Sequence, residues 1–400
     1  MVTDPFQLAK PVLDRIEEYN HQAFFVGGCV RDFLLKRPIG DIDIATSAQP
    51  GFIQQIFEKV IPVGIKHGTV IVRHQHQSYE VTTFRIDGIY TDQRHPDSVT
   101  FIDEIDKDLE RRDFTINALA MDKNGEIIDL FNGKEDLQDN IIRTVGDGYE
   151  RFMEDPLRII RAIRFSSQLG FTIDHQTVDN MIKVKRDIEG LAIERITNEF
   201  TKLFAGDYLH NGLSYLKATE IYKHLPIMIE YPYIIHLLPK GLNALYSFGE
   251  VIALLHITEP KVSVIAWINA WKCSNQIKQE ANQLVDGLYY YKSNGLDQWL
   301  VYQLSSEYYK GFIRLSSIYH PTNTLSYQEL VNIEQSLPIK SKKDLAIKGG
   351  NLIELFPHAK RGPWLQKTLN KLEEEVVMGR LTNTELELKE WVKWNPPEIN

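Results

Sequence analysis

The sequence predicts a multidomain chain in which a small α+β head precedes a long all-α remainder. Three observations carry this. At ~100–200 residues per unit, 400 residues make several folding units and not one core. Short runs rich in β-branched and aromatic residues, bounded by Gly, Pro and polar clusters, are confined to roughly the first 140 residues. From about residue 143 apolar residues recur at three-and-four spacing, the period of a buried helix face.

Taken in order, residues 24–26, 41–45, 69–73 and 79–84 read as strands. Between them residues 30–36 and 51–60 read as helices, the second opened by Ser47 or the Pro50-Gly51 turn. Residues 156–169, 176–188 and 195–204 follow as amphipathic helices, with Pro156 in the first turn, where its missing N–H is tolerated. Helical patterns punctuated by Pro226, Pro232, Pro239, Gly241, Pro321 and Pro338 run on to Asn400, with no fixed repeat or low-complexity tract.

Composition narrows the class. With 43% hydrophobic and 25% charged residues, the chain has a globular balance. Cys29 and Cys273 are the only cysteines, too few for a disulfide framework or a Cys-rich metal site. The first twenty residues carry Asp4, Asp14, Glu17 and Glu18 and no apolar signal-peptide core. Apolar stretches such as 262–271 are broken well short of a membrane span, so the expected location is cytoplasmic. A net charge of −9 argues against a protein that coats nucleic acid. One window departs from that balance: Lys340, Lys342, Lys343, Lys348, Lys360, Arg361, Lys367 and Lys371 face only Asp344 and Glu354, a local +6. A solvated face and an RNA-binding surface fit it equally well.

The most informative segment is Phe25-Val-Gly-Gly-Cys-Val-Arg-Asp32 followed by Gly40-Asp-Ile-Asp-Ile44. On a strand, Asp41 and Asp43 share one face while Ile42 and Ile44 share the other, which can be buried. Adjacent carboxylates repel unless a cation lies between them. Hard oxygen donors with room for water suit Mg²⁺, particularly where substrate phosphates complete its shell. Upstream, Gly27-Gly28 would turn a strand into a helix. Gly28 there lets backbone N–H groups approach a phosphate, and Arg31 adds a cation. Either feature alone is commonplace, but together in a strand–turn–helix–strand context they form the pattern of a two-metal nucleotidyl transfer site. No Walker A sequence and no G-x-G-x-x-G occurs, so the usual ATPase and dinucleotide routes lack support. Glu80 supplies a third carboxylate if its strand runs beside residues 41–44; otherwise it is an edge-strand surface acid.

Two polar motifs follow. Arg111-Arg-Asp-Phe-Thr-Ile-Asn-Ala118 reads as the start of a helix that stacks Asp113 and Asn117 on one face, able to hold ribose hydroxyls. The alternative is a helix-terminal acid beside a solvated Asn. In Glu154-Asp-Pro-Leu-Arg158, Asp155 and Arg158 are three apart, as a local ion pair or as a base-reading pair. A carboxylate acceptor beside a guanidinium donor matches the amino group and ring nitrogen of cytosine and of adenine. Guanine and uracil present these in reverse and would leave buried groups unpaired, at about 1–3 kcal/mol each.

In this order, and with Ile142-Arg-Thr-Val-Gly146 and Glu194-Arg-Ile-Thr-Asn-Glu-Phe200, the motifs resemble those of the class II tRNA nucleotidyltransferases. These CCA-adding enzymes share a head with bacterial poly(A) polymerases. The resemblance covers roughly residues 20–205. It implies a polymerase-β-like nucleotidyltransferase head at 1–140, a base-recognising helical neck at 141–205, a helical body at 206–320 and a tRNA-binding helical tail at 321–400. Mg²⁺ would be held by the catalytic Asp41 and Asp43, with Glu80 as the possible third carboxylate. The implied nucleotide-binding set is Gly28, Arg31, Arg112, Asp113, Asn117, Asp155, Arg158, Arg161 and Arg164, with Asp155 and Arg158 as a protein template for the base. Lys342, Lys343, Lys360 and Arg361 are the expected tRNA contacts.

The implied substrates are CTP, ATP and the acceptor stem and 3′ end of tRNA, with no membrane and no obligate protein partner. Residues 85–100 resemble the flexible loop that enzymes adding only CC lack, and Gly88 and Pro96 suit a mobile segment. No His-Asp dipeptide marks an appended phosphohydrolase domain, and no strongly basic extension marks a poly(A) polymerase. His67 reads as structural or as a support behind a site residue, and not as a general base. Full CCA addition is expected over its rivals: addition of A alone, poly(A) extension, or a silent RNA-binding relative.

Overall fold

The computed structural model describes residues 5–88, 98–319 and 324–398. Its contacts divide the chain into two units, Met1–His236 and Leu237–Asn400. Residues 89–97, the greater part of the expected loop at 85–100 and with it Pro96, lie outside the described residues, as do Asp4, Pro321 and Asn400.

The first unit opens with α1 (Pro5–Glu17), whose Phe6, Ala9, Val12, Leu13 and Ile16 are buried at helical spacing. A mixed sheet follows, built from β1 (Ala23–Val26), β2 (Asp43–Thr46), β3 (Val60–Gly64), β4 (Thr69–His74), β5 (Gln77–Thr83), β8 (Leu119–Met121) and β9 (Ile127–Asp129). Its order is β3-β4-β5-β2-β1-β8-β9, and β2 pairs with β5 in parallel. Between these strands lie α2 (Gly28–Leu34), α3 (Pro50–Ile56), the hairpin of β6 (Arg85–Asp87) and β7 (Val99–Phe101), and α4 (Ile105–Glu110). Val26, Ala45, Phe84, Ile105, Leu109 and Ala120 form a buried cluster that clamps α4 onto the sheet. After α5 (Gly133–Asp139), the short β10 (Ile141–Ile142) pairs in parallel with β11 (Thr172–Ile173).

Helices α6 (Gly148–Glu154), α7 (Leu157–Leu169), α8 (His175–Val184), α9 (Ile193–Phe204), α10 (Leu209–Thr219) and α11 (Ile234–Leu237) complete this part of the chain. Helix α7 is buried on nearly every side, begins after Pro156 and ends at Gly170 in the left-handed conformation. It is the post on which the second half of the site is mounted.

The second unit is entirely helical among the described residues: α12 (Phe248–Thr258), α13 (Val264–Ala270), α14 (Asn275–Asn294), α15 (Gln298–Gln303), α16 (Tyr309–Tyr319), α17 (Tyr327–Ser336), α18 (Gly349–Leu355), α19 (Trp364–Val377) and α20 (Glu385–Trp394). Ser247, Ser263, Ser274, Asp297, Ser326 and Thr384 cap their helices through side-chain oxygens, satisfying backbone N–H groups that the helix itself leaves unpaired. Among the described residues no helix is long and apolar enough to cross a membrane.

Several expectations need correcting. The helix expected over 51–60 stops at Ile56, and Val60 already starts β3. The strand expected over 41–45 begins only at Asp43, so Asp41 sits just before it. No helix starts at Arg111: that residue caps the end of α4, Phe114 is extended, and Thr115–Asn117 makes a single 3-10 turn. Backbone N–H groups there bond across to the chain near Arg143, Thr115 to Arg143 and Val145 to Asp113, which holds the segment out of helix. The first helix, α1, was not expected, because Pro11 lies inside it.

Candidate active site

Every residue expected to bind metal or nucleotide lines one cavity of about 740 Å³ in the first unit. These are Gly28, Arg31, Asp41, Asp43, Glu80, Arg112, Asp113, Asn117, Asp155, Arg158, Arg161 and Arg164. The volume is that of a small-ligand site. Nine Arg and Lys side chains line it against six carboxylates, an anion-attracting excess in a chain whose net charge is −9.

One wall comes from the strands. Parallel pairing of β2 with β5 sets Asp43 directly opposite Glu80, with Asp41 two residues before Asp43. Ile42 and Ile44 are buried beneath, as the alternation requires. Asp43 is pushed up to about 6, by burial first and then by the facing Glu80, while Arg112 pulls it down and Asp41 adds to the rise. Crowded like charge on hard oxygen donors is a setting that a divalent cation relieves. Among the described residues no group of three or more His, Cys, Asp or Glu is gathered closely enough to form a cage. The carboxylate oxygens of Asp41, Asp43 and Glu80 on the cavity wall are hard donors of the type Mg²⁺ accepts, an ion that keeps several waters and takes part of its shell from substrate phosphates.

The glycine turn forms the next wall. Gly27 is left-handed (φ +74°), which favours glycine, and a Cβ there would also displace the Arg112 guanidinium, whose Nη1 would lie 2.8 Å away. Cys29 is buried beneath the turn, and burial pushes its thiol up to about 11, which makes it an inert packing group. Arg31 donates to both oxygens of Asp32 at 3.0 Å and to Asn117 Oδ1 at 2.8 Å.

Asp113 and Asn117 do meet, without the expected helix. Asn117 Nδ2 donates to Asp113 Oδ1 at 3.2 Å, and Arg161 Nε donates to Asp113 Oδ2 at 2.8 Å. Burial alone would raise Asp113, but Arg161 and Arg158 overcome it and hold the carboxyl near about 2. The acid is thus a permanently charged junction between the turn after α4 and helix α7.

Asp155 and Arg158 stand at the start of α7 and do not pair with each other. Asp155 accepts from the Leu157 N–H at 3.1 Å and from Arg195 Nη2 at 2.7 Å. Arg158 donates to Glu154 at 2.7 Å and to the carbonyls of Arg151 and Arg111 at 3.2 Å. A carboxylate acceptor and a guanidinium donor, each anchored from behind, therefore line the same cavity. Arg164 is held by Glu199 at 2.6 Å and Gln168 at 2.7 Å.

A model of the Poly A polymerase head domain matches residues 23–143, and one for tRNA nucleotidyltransferase domain 2 matches residues 250–392. The chain is 46% identical to the CCA-adding enzyme of Oceanobacillus iheyensis over the full length of both. The chain belongs to the CCA-adding tRNA nucleotidyltransferase family. It is also 40% identical to the CCA-adding enzyme of Enterococcus faecalis, covering 98% of this chain and 97% of that one. A crystal structure of the Bacillus stearothermophilus CCA-adding enzyme in complex with CTP is similar across 98% of both chains, with 34% identity and a TM-score of 0.87.

Part of the cavity of this tRNA nucleotidyltransferase is lined by residues outside the expected set. Arg195 and Lys202 on α9 and Phe165 on α7 line it, yet none was singled out. Arg195 lies within the Glu194–Phe200 motif, so a signal was present; Lys202 and Phe165 look like ordinary helix residues in a linear reading. The expected tail cations lie in the second unit. Lys343, Lys360 and Arg361 are exposed there. Lys342 is half-buried, paired with Glu373 at 3.2 Å and bonded to Asn370.

Proposed function

We propose that this chain is a CCA-adding tRNA nucleotidyltransferase, adding C, C and A to the tRNA 3′ end from CTP and ATP, without a nucleic-acid template and with release of pyrophosphate. One observation carries this: the strand carboxylates and the Asp155–Arg158 base-reading pair line the same cavity. Chemistry and base choice are therefore available to one bound nucleotide. The names of similar proteins, CCA-adding enzymes from several bacteria and one in complex with CTP, support the reading.

Asp41 and Asp43 would hold Mg²⁺, with Glu80 beside them. The bound metal supplies a lowered pKa for the tRNA 3′-hydroxyl and charge neutralisation for the triphosphate. Around it the protein's own groups bind and orient. Gly28, Arg31, Arg112, Arg161 and Arg164 receive the triphosphate. Asp113 holds Arg161 and Asn117 in place, and Asn117 sits at the ribose. Asp155 accepts from the amino group of cytosine or adenine while Arg158 donates to the neighbouring ring nitrogen. Uracil and guanine would set donor against donor. No Ser, Cys or His nucleophile takes part, and His67 lies in a 3-10 turn whose carbonyl accepts from Arg85.

The exposed cations Lys343, Lys360 and Arg361, with Lys342, would contact tRNA phosphates, and the reaction belongs in the cytoplasm. The sequence's division into neck, body and tail is retained as a functional one. The test supplies tRNA lacking its last three nucleotides, Mg²⁺, and CTP or ATP. CTP alone should add two residues, and CTP with ATP should add three. Runs of A from ATP alone would favour a poly(A) polymerase, and no incorporation would favour a silent relative.

A further inference from the structure

Phe165 sits on α7 at the cavity wall and is 4% exposed. Three guanidinium carbons lie over its ring: Arg164 at 3.8 Å, Arg31 at 5.2 Å and Arg161 at 5.6 Å from the centroid. Arg31 comes from the helix after the glycine turn, and the other two come from α7 itself. Each guanidinium also has a carboxylate on its edge: Asp32 for Arg31, Asp113 for Arg161 and Glu199 for Arg164. The ring is pinned in turn by Phe114, edge-on at 5.8 Å and 85°, in the segment that carries Asp113.

We propose that Phe165 is a positioning residue for the triphosphate of the incoming nucleotide, its ring gathering Arg31, Arg161 and Arg164 onto one wall of the cavity. The inference rests on the nucleotidyl transfer reading above, which supplies the triphosphate. Three cations drawn together repel, and the electron-rich face of an aromatic ring offsets that repulsion without consuming a hydrogen-bond donor. Carboxylates alone cannot do this, since each occupies guanidinium N–H groups that phosphate oxygens need. The ring binds the faces and takes no edge donor beyond those already given to Asp32, Asn117, Asp113, Glu199 and Gln168. It also joins α2 to α7, so that cations from two elements are gathered beside one phosphate chain. Of the buried apolar residues of α7, Leu157 and Phe165 line the cavity, whereas Ile159, Ile160 and Ile163 do not, and Phe165 is the one with guanidinium groups over its ring.

The test replaces Phe165 with its 4-fluoro, 3,5-difluoro and 3,4,5-trifluoro analogues, which keep the ring's shape while draining its quadrupole stepwise. KM for CTP and for ATP should rise together with each fluorine, on the order of tenfold by the third. Discrimination of CTP from UTP should stay constant, and the melting temperature should fall modestly with each fluorine as the cation–π contacts weaken. Phe165→Leu should raise both KM values, and Phe165→Trp should restore them. A flat KM across the fluorinated series, in protein that still incorporates CTP, overturns this inference alone, as does a rise confined to one nucleotide. If the unsubstituted protein incorporates neither nucleotide, the proposed function falls and takes this inference with it.

Discussion

Asp43 and Glu80 face one another directly across the parallel β2–β5 pair. Register, and not nearness in sequence, brings these carboxylates together. It makes Glu80, after burial, the largest cause of the rise of Asp43 to about 6. A site that holds like charges in line spends folding stability on a cation to come.

Replacing Asp41 or Asp43 with Ala should therefore abolish CTP and ATP incorporation together, by about a hundredfold or more, because one ligand charge is lost from a site with few. Circular dichroism should show the fold intact. Near-normal turnover of either variant at ordinary Mg²⁺ would contradict the metal assignment.

Asp155→Ala should damage base choice more than chemistry. Arg195 and the Leu157 amide hold this carboxylate, and its loss removes the acceptor proposed for the base's amino group. Discrimination of CTP against UTP should fall by roughly 5- to 100-fold, the worth of one unpaired buried group. Unchanged discrimination in competition assays would leave Asp155 as a structural helix cap.

Strands β1, β2, β4 and β5 and the α7–α9 helices were legible in the sequence, whereas β3, β8 and β9, each of three to five residues, were not. The Asp41/Asp43 alternation and the Gly27-Gly28 turn were legible because their spacing is local. The failures are tertiary. Pro11 hid α1, whose five buried residues sustain the helix despite it. Arg111–Ala118 looked helical, but its backbone bonds to the chain near Arg143 instead. Phe165 and Lys202 entered the cavity only once α7 and α9 had packed, and nothing in a linear pattern separates a cavity-lining residue from a core or surface one. Glu80 is intermediate: the sequence posed it as conditional on strand order, and the parallel pairing met that condition.

Asp113 sets a pH dependence of its own. Its folded value of about 2 lies below the ordinary 3.8, so its contribution is complete above the unfolded value and is lost as pH falls toward 2. In urea unfolding, the unsubstituted protein should lose on the order of 1 kcal/mol more than Asp113→Asn between pH 5 and pH 3. Parallel pH profiles for the two proteins would refute the Arg161 junction as a source of stability.

Reversing Lys342, Lys343, Lys360 and Arg361 to Glu should weaken tRNA binding and flatten its salt dependence, by roughly 0.7–0.9 in the slope of log K for each phosphate no longer neutralised. Lys342 should contribute least, since Glu373 already neutralises it. CTP binding in the first unit should hardly change. Survival of both affinity and slope would make the window a solvated face.

In the proposed function protein side chains, not a nucleic-acid template, choose the nucleotide in this cavity. Single-turnover incorporation of each of the four nucleoside triphosphates, onto tRNA lacking CCA and onto tRNA ending in CC, tests it most directly. CTP should be incorporated on the first substrate and ATP on the second, with UTP and GTP at least about tenfold slower than either on both. Comparable rates for UTP or GTP would contradict it.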